Sequence, residues 1–399
     1  MNPPTAIVQL PSAPHILVRG VNWLGDAVMT TPALMRLREK FPKAQITLLT
    51  PEKLKDLWMG HPAVNETISF APGESVFAVG RKSRRVGSSR CDDRTAQRAV
   101  PTQFDLALVL PNSPRSAIET WLARIPRRVG YARPWRNFFL TQAVAPHPEA
   151  VRMRKRSVAE IRRLVAADVN RRTTPVNRAF TSAATSGHQI NEYLHLAAAL
   201  GANPQPLPPQ LFVSPEEIES AKKKFGLEQI TQPVFGLNPG AEYGPAKRWP
   251  VERFIAVAKE IRQRTNCVWL ILGGKNDAPL AERVGSELRT PNSELRTLAG
   301  RTSLRELMAL LKWCRVLLTN DSGPMHVAAA LGTPVVVPFG STSPELTGPG
   351  LPGEPGHRLL KSGAPCSPCF RRECPIDFRC LTGISVERVV EAVISAHGR

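Results

Sequence analysis

Short runs that are apolar at every position alternate along this chain with segments whose apolar positions return every three or four residues. Continuous runs of this length read as strands buried on both faces, and the three-to-four period reads as helices with one covered face. In the first half, strands are predicted at 15–20, 45–50, 64–70 and 127–131, and a strand and turn at 104–113. Helices are predicted near 27–40, from Glu52, over 114–125 and over 189–202. The second half predicts strands at 233–240, 267–274, 296–300, 315–321 and 334–340, with helices at 251–264, 278–289, 303–312 and 325–331 between them. Such alternation predicts an α/β fold of two doubly wound, Rossmann-like domains with parallel sheets, facing each other across a cleft. Pro204, Pro206, Pro208 and Pro209 suit an extended linker. The expected domains are therefore 14–203 and 204–383, with an amphipathic helix over 384–399 packing back across them.

A chain of 399 residues is long enough for two or three cores. No apolar run approaches the ~20 residues of a membrane-spanning helix, and the start lacks the basic segment of a secretion signal, so a cytoplasmic location is expected. Charge adds to the picture. The formal net charge is +20, and residues 81–178 hold 22 basic against 7 acidic side chains. An anionic partner is expected for that region: nucleic acid, an acidic membrane surface or a polyanionic substrate. For 79–100 and 152–178 a solvated, partnerless insertion is the competing reading. Residues 171–187, rich in Ser, Thr and Ala without periodicity, read as a mobile loop.

Ligands of such sheets bind at the carboxyl ends of the strands, so the loops there carry the candidate chemistry. In "LLTNDSGPMHVAAALG" a strand ends at Asn320-Asp321 and a helix starts near Pro324. Ser322, Gly323 and the helix start form an anion site suited to a diphosphate, with His326 in the first turn. In "NPGAEYGPAKRWP" Lys247 stands just before a helix, placed to neutralise charge on a departing phosphate. "GVNWLGDAVMTTPAL" carries Asp26 at a strand-to-helix turn that lacks a glycine-rich phosphate signature. An ionised carboxylate there can act as general base toward an acceptor hydroxyl. For Asp26 and Asp321 a helix cap is the alternative, for His326 a surface residue, and for Lys247 an ordinary surface cation.

These motifs, together with "LVLPNSPRSA" and "IPRRVGY", resemble the ADP-heptose:lipopolysaccharide heptosyltransferases of glycosyltransferase family 9, over most of residues 15–390. The resemblance implies a GT-B fold and an inverting transfer that needs no cofactor, with ADP-heptose as donor. It implies Asp26 as base, Lys247 at the donor phosphates, Asp321 near the heptose hydroxyls, and Ser322, Gly323 and His326 around the diphosphate. The implied acceptor is the Kdo–lipid A core carrying one heptose, with peripheral contact to the inner face of the anionic inner membrane. Arg115, Arg127 and Arg128 are the acceptor contacts it suggests.

Cys366, Cys369, Cys374 and Cys380 fall in "CSPCFRRECPIDFRC". Four thiolates can hold a structural zinc, though the second spacing is wider than usual; reduced thiols on a proline-rich loop are the alternative. Two other functions compete. One is a family 9 transferase acting on a different core position. The other is a basic nucleic-acid-binding protein, which would need aromatic and basic residues alternating on one surface and would leave Asp26 and Lys247 without a task.

Overall fold

The structure, a computed structural model, describes residues 10–86, 104–169, 187–289 and 295–398. The chain forms two units: residues 1–150 with 189–212, and residues 151–188 with 213–399.

The first unit is built on a six-stranded parallel sheet of β1 (His15–Arg19), β2 (Gln45–Pro51), β3 (Glu66–Phe70), β4 (Leu106–Val109), β5 (Arg127–Tyr131) and β6 (Gln142–Val144). Its strand order is β3-β2-β1-β4-β5-β6. The second unit repeats the plan with β7 (Val234–Asn238), β8 (Val268–Ile271), β9 (Leu295–Thr297), β10 (Val316–Thr319), β11 (Val335–Pro338) and β12 (Arg358–Leu360). Its order, β12-β11-β10-β7-β8-β9, is the same doubly wound topology, with its switch point between β7 and β10 as the first has its own between β1 and β4. β4, β7, β8, β10 and β11 are buried at every position because helices cover both faces.

Helix starts follow local chemistry. Ser113 accepts from the Ser116 amide ahead of Pro114–Leu122. Ser214 with Glu217 and Ser303 with Glu306 form reciprocal capping boxes. The predicted 27–40 helix is two helices, Leu24–Met29 and Thr31–Lys40, joined at Thr30. Pro32 sits in the first turn of the second, where a missing N–H costs nothing. The first therefore starts earlier than expected and carries Asp26 in its opening turn.

The unit boundaries differ from those expected. Residues 151–169 and 187–188 join the second unit: the Arg156 amide donates to Cys369 O (3.0 Å), its guanidinium to Pro365 O (3.1 Å), and Ile161 packs with Cys366 and Cys369. The terminal helix Val386–His397 sinks Val389, Val390, Val393 and Ala396 into the second unit's core beside Phe235 and Trp269, where a helix crossing both domains was expected. Within the basic segments, helices occupy Val76–Val86 and Val158–Val169; residues 87–103 and 170–186, including nearly all of the expected mobile loop, lie outside the described residues.

Candidate active site

At the switch point of the first unit, the Gly20–Trp23 turn leaves β1 and delivers Asp26. A cavity of about 200 Å³ opens there, lined by Asn22, Trp23, Asp26, Asn112, Gln189 and Tyr193 among others. Gln189 Nε2 donates to Asp26 Oδ1 (3.4 Å) and to Tyr193 Oη (2.9 Å). Burial, and then the Asp26 carboxylate, raise the Tyr193 hydroxyl well above its ordinary pKa, so it stays a neutral donor. Tyr131 Oη donates to Glu192 O (2.6 Å) and closes the far wall.

Two buried arginines, neither singled out by sequence, shape this cavity. Arg19, at the carboxyl end of β1, pairs with buried Glu119 (2.7 Å) and donates to Gly20 O and Asn22 Oδ1. It thus ties the Asp26 turn to the helix after β4. Arg136 is fully buried and donates to Pro111 O (2.7 Å), which lines the cavity wall. Burial lowers its pKa to about 10. Gly130 makes the room: a Cβ there would stand 2.7 Å from Arg136 Nη2. A buried arginine leaves no trace in local periodicity; the carboxylate-free surroundings of Arg136 and the Gly in β5 were the available signals.

The proposed acceptor arginines are dispersed. Arg115, at the carboxyl edge of the sheet, is held by Glu119 (2.8 Å) and donates to Glu74 O. Arg127 and Arg128 begin β5, level with Leu106 and Ala107 at the start of β4. They stand toward the amino edge, opposite the end that carries Asp26, and Arg128 is spent on the carbonyls of Ile125 and Phe139. The structure does not bring this pair to the cavity.

In the second unit, the two predicted phosphate loops meet. Asn238 and Thr319 end the adjacent strands β7 and β10 in register, and Asn238 Nδ2 donates to Thr319 Oγ1 (2.9 Å) and Ser322 Oγ (3.1 Å). Asn320 accepts from the Trp249 amide (2.9 Å) and donates to Pro239 O (2.7 Å), locking one loop onto the other. Lys247 Nζ consequently lies 2.6 Å from Asp321 Oδ2, with side chains 14% and 4% exposed. Thr342 Oγ1 donates to the same carboxylate, and the ammonium lies over the Tyr243 ring (4.9 Å). Asn238, Asn320 and Thr342 were missed by sequence, although a polar residue closing an apolar strand run was a usable signal.

Because Ser322 Oγ is turned toward Asn238, it does not cap the helix Gly323–Ala330. The positive end of that helix thus has no side-chain cap, the arrangement in which a helix start can hold an anion. His326 is buried beside the ion pair, and burial lowers its pKa to about 4 against the raising pull of Asp321. The ring is neutral at pH 7 and offers one N–H.

His188 and His61 are also held near 4 by burial. All three titrate near 6.5 when unfolded, so between pH 6.5 and 4 the unfolded chain binds more protons. Their contribution is intact above pH 6.5 and is lost as pH falls through that window. Moving from pH 7 to 5 is expected to cost up to about 2 kcal/mol per histidine. Calorimetric melts at pH 7, 6 and 5 check this, and a flat profile contradicts it.

The four clustered cysteines lie on the second unit, with Cys366, Cys369 and Cys380 buried. Cys374 Sγ accepts from the Phe378 amide (3.3 Å). Burial and then the neighbouring thiols push Cys380 up to about 12. Among the described residues no group of three or more ligating side chains is arranged to hold a metal ion.

Comparison with known proteins bears on family and fold. The model of glycosyltransferase family 9 (heptosyltransferase) matches residues 158–378. Lipopolysaccharide heptosyltransferase 2 of Escherichia coli is 33% identical over 84% of this chain and 85% of its own. Lipooligosaccharide heptosyltransferase 2 of Haemophilus influenzae is 30% identical over 84% and 86%. The solved structure of Escherichia coli ADP-heptose lps heptosyltransferase II superposes with a TM-score of 0.71 at 27% identity, over 96% of this chain and 98% of that one. The GT-B fold expected from the sequence is the observed one, and with sequence and topology in agreement, the chain belongs to glycosyltransferase family 9, the heptosyltransferases.

Proposed function

We propose that this glycosyltransferase moves heptose from ADP-heptose onto the first heptose of the lipopolysaccharide inner core, with inversion at the anomeric carbon. Asp26 takes the proton of the acceptor hydroxyl as its oxygen attacks the anomeric carbon. The bond from that carbon to the phosphate oxygen breaks, and ADP leaves with the electron pair. Negative charge growing on the diphosphate is met by Lys247, by the helix start at Ser322 and Gly323, and by the His326 N–H. Asp321 fixes the ammonium and faces the sugar hydroxyls. On the acceptor side Arg115 remains a candidate contact, while Arg136 holds the Pro111–Asn112 wall. The carrying observation is the Lys247–Asp321 pair beside a helix start that its own serine does not cap.

The two relatives reported above, both named heptosyltransferase 2, favour the once-heptosylated core over other core positions. ADP release from ADP-heptose tests it. Release is expected with a Kdo–lipid A acceptor carrying one heptose and not with one lacking heptose. The reverse preference assigns a different core position, and failure to bind ADP-heptose overturns the donor.

A further inference from the structure

We infer that one flank of the first unit, built by the end of the helix Pro114–Leu122 and the segment 132–141, binds the surface of an anionic lipid bilayer. Three aromatic side chains face water there: Trp135 is 88%, Phe138 83% and Trp121 45% exposed. Trp121 meets Phe139 edge-on at 5.6 Å, and Phe139 meets Phe138 at 5.4 Å, so two of the three belong to one aromatic row. Trp135 is held at φ +64°, a backbone conformation that bulky residues rarely adopt. Arg136, buried next to it and bonded to Pro111 O, anchors the segment from beneath, and Arg133 N–H donates to Asn137 Oδ1 (2.8 Å). The segment is thus pinned in a shape that leaves its aromatics outside.

The charge along this stretch of chain has one sign. Between Glu119 and Glu149 the chain carries five arginines and no carboxylate side chain. Arg124 is exposed at the end of the Trp121 helix, and Arg127 and Arg133 are partly exposed. Exposed Trp and Phe on a stretch rich in arginine is the composition that seats a protein at the headgroup level of an acidic membrane: the rings enter the interface and the guanidiniums meet phosphate. A nucleic-acid surface would also draw the arginines, but a lipid-linked acceptor gives a bilayer contact its use. In that respect the inference rests on the proposed function.

Vesicle flotation tests it without any acceptor, and so independently of heptose transfer. The wild type is expected to float with phosphatidylcholine vesicles containing 30% phosphatidylglycerol, and at least tenfold less with phosphatidylcholine alone. Trp135→Ser/Phe138→Ser should lose at least tenfold of that binding with an unchanged melting temperature. Arg124→Gln/Arg127→Gln should weaken it and flatten its salt dependence. The aromatic variant should keep wild-type kcat on a delipidated, water-soluble acceptor while its KM rises for acceptor embedded in vesicles. Equal flotation of wild type and aromatic variant, or no flotation of the wild type, overturns the inference. So does a change of oligomeric state in the aromatic variant by sedimentation, which would make the patch a contact between copies.

Discussion

Asp26→Asn is expected to lower kcat by about 10³ while leaving the affinity for ADP-heptose unchanged. General-base removal costs on the order of 10²–10⁴, and the substitution preserves shape: the new amide oxygen can still accept from Gln189 Nε2, as Asp26 Oδ1 does. What disappears is the negative charge proposed to take the acceptor proton. Calorimetric titration with ADP-heptose and ADP-release kinetics, read together, decide the point. A variant retaining a tenth or more of wild-type kcat removes Asp26 from the role of base. Equal losses in kcat and donor affinity would make it a structural residue of its turn.

Lys247→Met should damage both turnover and stability. Loss of the charge proposed to meet the developing diphosphate is expected to lower kcat/KM by about 10²–10³. Asp321, 4% exposed, would keep the Thr342 hydroxyl but lose its counter-charge, and stranding a buried charge costs about 3–5 kcal/mol. The double variant Lys247→Met/Asp321→Asn separates the two effects. Removing both charges should restore most of the stability and none of the activity. Recovery of activity in the double variant would show that the ion pair serves folding alone.

How much of this could be read beforehand depended on where each signal lies along the chain. Central strands such as β7 and β10 declare themselves because both faces are covered and every position is apolar. The edge strands β6 and β12 have three residues each and no fully buried position, so nothing marked them. The helices Val76–Val86 and Val158–Val169 were hidden by arginines on their exposed faces, which read as charge runs. Pro215–Lys224 was missed although Ser214 and Glu217 spell a capping box. Lys247, Asp321 and His326 could be picked out because they fall in the connections that follow two adjacent strands of one parallel sheet, His326 in the first turn of the helix that ends its connection. The Asp26–Gln189 contact spans 163 positions and has no local signature. Arg127 and Arg128 misled for a directional reason: they open their strand, whereas ligands gather where strands close.

The first unit is discontinuous in sequence, and that fixes the order in which a ribosome can complete it. All six strands of its sheet have been made by residue 144, yet Gln189, Glu192 and Tyr193, which wall the Asp26 cavity, come only after a stretch that belongs to the other unit. The nascent sheet therefore waits, with the side that receives the helix Gln189–Ala198 uncovered, for more than forty residues of chain. Until that helix docks against Thr31–Lys40, the cavity around Asp26 lacks one wall, so this half of the molecule matures only after synthesis of its neighbour has begun.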